Sequence, residues 1–119
     1  MNKYTIALLA AVILIMSGCS LAPASASNSY NANDEGNYEE SLRKIEYSLI
    51  KYNYSDEDTA NLMLLKADNY MKLGESAYAL GVLNYVVDKY PETEAAFKAK
   101  ALLQTDKTLR SLNESASQN

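Results

Sequence analysis

Residues 60–93 read ANLMLLKADNYMKLGESAYALGVLNYVVDKYPET, and the spacing of their apolar side chains decides the fold. Leu62, Met63, Ala67 and Tyr70 fall on one side of a helix, and Gly74 closes the run. Ala79, Leu80, Leu83, Val86, Val87 and Tyr90 then make a second helical stripe, which ends at Pro91 because the proline ring forbids continuation. The stretch is therefore read as two amphipathic helices joined by a tight glycine turn.

The same periodicity extends outward in both directions. Upstream, Tyr38, Leu42, Ile45, Leu49 and Tyr52 predict a helix, with Asn37 and Glu40 spaced as a cap. Asn53 and Tyr54 interrupt it, and Ser55 with Asp58 offers a capping box for the helix through Leu62. Downstream, Thr93 can cap a further helix carrying Phe97, Ala101, Leu102, Leu109 and Leu112, before a polar tail, residues 113–119, expected to fray. No useful stretch alternates with period two. The expectation is an all-α domain of about four helices over residues 34–112.

The N-terminal residues have a different character. Lys3 gives one positive charge and residues 5–16 are uncharged and strongly apolar, too short for the about 20 residues a membrane-spanning helix needs but suited to a secretory signal. Met16-Ser17-Gly18-Cys19 resembles the lipobox of bacterial lipoproteins, with Met16 where that family usually has Leu. The resemblance implies that residues 1–18 are a signal peptide cleaved before Cys19, and that Cys19 carries diacylglycerol and an N-acyl chain. It also implies a lipid-anchored place in the cell envelope, on the outer membrane in a Gram-negative cell because Ser20 rather than Asp follows. Two or three acyl chains hold far more firmly than the marginal, reversible grip of one. Residues 20–33, rich in Ser, Ala and Asn, are expected to be a flexible tether behind the lipidated Cys19.

Charge and composition exclude several classes of function. The 119-residue chain has 11 basic and 15 acidic residues, a net charge of −4, and loss of Lys3 with the signal would leave −5. That balance offers nucleic acid no electrostatic hold. With no His and a single Cys, the chain has no Ser-His or Cys-His catalytic pair, no His-ligated metal site and no intramolecular disulfide. The carboxylates Glu39/Glu40 and Asp56/Glu57/Asp58 fall in first turns of predicted helices, where the helix dipole favours them. Neither a phosphate loop nor a nucleophile elbow is present, so no enzyme and no cofactor are expected.

An internal repeat lies beneath the helices. A shift of 38 residues places Gly36 over Gly74, Leu42 over Leu80, Ile45 over Leu83, Tyr47 over Tyr85 and Tyr52 over Tyr90. A shift of 34 places Met63 over Phe97, Lys66 over Lys100 and Ala67 over Ala101. These residues resemble the tetratricopeptide repeat, a helix-turn-helix unit that stacks into a solenoid. In a unit starting at Ala60, Ala67, Tyr70, Gly74, Ala79, Leu83 and Pro91 match its positions, while Lys66 and Val86 depart from it. The whole reads as a short tetratricopeptide-like helical repeat after a signal peptide and flexible tether.

In that family the first helix of each unit lines the concave face, which the resemblance carries to Asn61, Leu64, Asp68, Met71, Ala95, Lys98 and Leu102. Leu62-Met63-Leu64-Leu65 is apolar all round, which suits either a partner site or a helix packed on both sides. The expected function is a lipid-anchored protein-protein interaction module that captures a segment of an envelope protein and assembles or localises it, as pilotins do. The alternatives are a self-associating structural subunit of an envelope machine and a surface exclusion or immunity-type lipoprotein.

Overall fold

The computed structural model describes residues 24–118, which form five α-helices and no strand. They are α1 (Ala24–Asp34), α2 (Tyr38–Lys51), α3 (Asp56–Lys72), α4 (Ser76–Lys89) and α5 (Glu94–Ser117). Each helix packs on its neighbours in sequence; α1 also meets α3 and α3 meets α5, whereas α2 and α4 do not touch. The odd helices thus form one layer and the even helices the other. The arrangement is a stack of two helical hairpins closed by a fifth helix.

Local chemistry sets the helix ends. At α3, the Ser55 hydroxyl accepts the Asp58 N–H at 3.1 Å and donates to the Asp58 carboxylate at 2.7 Å. At α5, Thr93 Oγ1 accepts the Ala96 N–H at 3.1 Å. Asn37 occupies the N-cap of α2 but its side chain makes no capping bond, leaving Glu39 and Glu40 to meet that helix end. Gly36 and Gly74 both have left-handed backbones, with φ of 80° and 78°. After each, the next N–H reaches back to close the helix, Asn37 to Ala32 O and Glu75 to Tyr70 O, both at 2.8 Å. These are Schellman closures 38 residues apart, so the repeat legible in sequence is also one of backbone geometry.

The core has two parts. Ala60, Ala67, Leu83, Val86, Ala95, Ala96 and Ala99 join α3, α4 and α5, while Ala26, Ile45, Leu62 and Leu65 join α1, α2 and α3. The all-apolar run in α3 is thereby explained, because Leu62 and Leu65 serve one part while Met63 and Leu64 pack against the other.

Three expectations are corrected. First, residues 24–33 are no flexible tether: they lie in α1, with Ala26, Ser29 and Ala32 buried. Composition misled because the helix docks through small residues rather than large ones. The Ser41 hydroxyl donates to Ser29 O at 2.8 Å, the Ser29 hydroxyl to Ser25 O at 2.9 Å, and the Ser25 and Ser48 hydroxyls share a 3.0 Å bond. Every buried hydroxyl in this seam is satisfied, so α1 and α2 approach closely without a polar penalty. Extending the 38-residue shift upstream sets buried Ser29 over buried Ala67, Ser41 over Ala79 and Ser48 over Val86. α1 is the first helix of a unit that sequence reading began at its second.

Second, the polar tail does not fray at Asn113, since α5 runs on to Ser117. No Gly or Pro follows Pro91 to stop it, and Asp106 pairs with Arg110 at 2.9 Å along its exposed length. Third, the large apolar residues expected on the α5 stripe are not its core face, against which Leu103 packs instead. Phe97, Leu102, Leu109 and Leu112 are 63%, 49%, 56% and 60% exposed, whereas Ala95, Ala96 and Ala99 are fully buried. The alanines let α5 lie close against its neighbours and turn the bulky side chains outward. Similarly, Tyr52 ends the α2 stripe exposed, and Ser41, Ile45 and Ser48 are the buried residues of that helix.

Candidate functional site: the groove between α3 and α5

A groove opens between α3 and α5. The groove has a volume of about 660 Å³ and is lined by Leu64, Asp68, Met71, Lys98, Leu102 and neighbouring small residues, with Leu83 of α4 among them. Five of the seven residues expected to meet a partner are thus brought together. The other two are not. Asn61 is half-buried and lies outside the groove, while Ala95 is fully buried in the core and cannot touch a partner. Ala95 was misassigned because the repeat register fixes which helix lines the face but not the rotation of α5 about its own axis. Ala101 and Thr105, absent from the expected set, also line the groove. Their signal was available: both lie within a turn of Leu102, on the stripe that also carries Leu109 and Leu112.

Charge is placed at the edges of the site. Lys98 pairs with Glu94 at 2.8 Å, and this contact raises the lysine pKa and lowers that of the carboxyl. Asp68 accepts from the Asn33 amide of α1 at 2.9 Å. Tyr30 of α1 has its phenol pKa pushed up by burial and then by Asp58, with Lys98 opposing. One face therefore runs across all three odd helices. The Glu57 carboxylate accepts the Glu94 N–H at 3.2 Å, which ties the start of α5 to the first turn of α3. Lys66, where the repeat family prefers Leu, extends its amine to Glu46 of α2 at 3.2 Å.

Among the described residues, no group of three or more Asp, Glu, Cys or His is placed to hold a metal, and no helix is long and apolar enough to cross a membrane. The lipobox and Cys19 lie outside the described residues. Comparison with protein-family models, with curated proteins and with solved structures gives no match.

Proposed function

We propose that this chain is a lipid-anchored, tetratricopeptide-like interaction module whose α3–α5 groove receives an apolar helical segment of another envelope protein. The observation carrying this reading is the convergence of Leu64, Met71 and Leu102 in one open groove, with Asp68 and Lys98 at its edges. Such a surface suits a helix laid in a groove, with apolar anchors for affinity and one charge of each sign to set register. The module performs no chemistry of its own and acts by holding its client at a membrane.

Lipidation at Cys19 would confine the module more tightly than a long tether does. Five chain steps separate Cys19 from Ala24, so α1 would begin at most about 18 Å from the lipidated residue. A client on the same surface then meets the groove at raised effective concentration. Two measurements test the two halves. Labelled palmitate is expected on the wild-type chain and not on Cys19→Ser; label on both, or on neither, removes the anchor. A photo-crosslinker at Met71 is expected to give an adduct that Leu64→Asp abolishes and that a crosslinker at Tyr47 of α2 does not give. Equal adducts from both positions remove the groove.

A second reading is self-association, favoured by the exposed Leu109 and Leu112 that continue the groove stripe along α5. A mass that rises with concentration, and is restored to monomer by Leu109→Glu/Leu112→Glu, would support this reading over client capture.

A further inference from the structure

The face opposite the groove carries a second recess with different chemistry. Because α2 and α4 do not touch, a gap remains between the even helices, over α3. Tyr52 and Tyr54 wall one side and Tyr85 and Tyr90 the other, with Thr59 and Met63 of α3 between them, around about 290 Å³. The rings on each side are set edge to face, Tyr52 with Tyr54 at 6.3 Å and 70°, Tyr85 with Tyr90 at 6.1 Å and 76°. Two of these positions are repeat equivalents: Tyr52 and Tyr90 each occupy the C-cap of an even helix. The Tyr54 hydroxyl is tied to Ser48, which fixes that wall.

We propose that this tyrosine-walled recess binds an alkylammonium group, such as the trimethylammonium of choline. Rings of tyrosine present negative faces, which attract a cation most strongly when it is partly desolvated. Two of the chain's own cations sit over other rings, Lys72 over Tyr38 at 6.0 Å and Lys100 over Phe97 at 5.5 Å, and neither ring belongs to the recess. The Asp56 carboxylate also acts on this wall: the phenol of Tyr90 has its pKa raised by burial, by Tyr85 and then by Asp56. The volume sits at the small end of ligand sites, about 300–1,000 Å³, and so suits a single headgroup rather than a peptide segment. This site is independent of the groove and of its client.

The test titrates the full chain, held in a maltoside detergent, with choline chloride and with its neutral isostere 3,3-dimethyl-1-butanol, following the tyrosine ring resonances. Choline is expected to bind at least about fivefold more tightly than the isostere, the range a cation–π contact supplies. Tyr85→Leu is expected to remove that preference, Tyr85→Phe to keep it, and Asp56→Asn to weaken it. Tyr85 is exposed, so neither change burdens folding. Short-chain phosphatidylcholine binding more than about tenfold tighter than choline would identify a lipid headgroup as the source, and equal affinities a free solute. Equal affinity for choline and the isostere, no saturable shift with either, or an unchanged preference in Tyr85→Leu would each overturn the proposal.

Discussion

Asn69 of α3 donates from its side-chain amide to the hydroxyl of Ser41 in α2 at 2.8 Å, and both residues are fully buried. Asn33 of α1 donates to the Asn69 carbonyl at 2.9 Å, and Ser41 passes its own proton on to Ser29 O. One amide thus joins three helices. Asn69→Ala leaves Ser41 without a donor, and the expected cost is about 2 kcal/mol. For a domain of this size that lowers Tm by about 10 °C. Asn69→Asp is expected to cost more, because it sets a carboxylate in a buried site. Urea unfolding measures both, and a double variant with Ser41→Ala should cost less than the two single changes together.

The docking of α1 predicts a difference between two lengths of chain. Residues 34–119 lack α1, exposing Ser41, Ser48 and one side of Ile45. Loss of four side-chain hydrogen bonds, one of them exposed, and part of an isoleucine's burial is expected to cost about 3 kcal/mol relative to residues 24–119. Identical unfolding midpoints would return residues 24–33 to the role of tether.

In α5 the usual ranking of residues is inverted. Ala99→Leu forces extra volume into a fully buried contact and is expected to cost about 2 kcal/mol. Leu109→Ala removes a side chain that is mostly in solvent and is expected to change stability by under about 0.5 kcal/mol. Thermal unfolding of the two variants would separate this packing from one in which the leucines face inward.

On α2, Glu40 is held down to about 2 by hydrogen bonds from Arg43 and then Lys44, against an ordinary value of 4.5. Arg43 lies 2.6 Å from it on the next turn. A depressed carboxylate stabilises the fold above its ordinary pKa, and that contribution fades as the pH falls through about 2. Since the carboxylate lies at the surface, where solvent screens the pair, the effect on stability is small, and the titration itself is the readout. Carbon-detected NMR should place Glu40 well below the ordinary 4.5, and Arg43→Ala should move it back toward that value.

The legible features were those in which a chemical type implies a position. Ser55 and Thr93 cap because a hydroxyl before a helix accepts orphan N–H groups. Gly74 ends a helix because glycine takes a left-handed backbone without strain. Leu64, Asp68, Met71, Lys98 and Leu102 were found through repeat register, which fixes the layer a helix occupies. α1 and the core face of α5 were hidden for one shared reason. Alanine and serine have no pronounced apolar signature, yet in both places their small size is what permits close packing.

The sequence by itself determined the helical class, the 38-residue repeat and the punctuation of the helices after Gly36, because those follow from local bonding and spacing. Only the tertiary structure decided where the first helix begins, which side of α5 is buried and where the two recesses open. Those depend on how near two backbones come, and that distance is set by the partners across an interface rather than by neighbours along the chain.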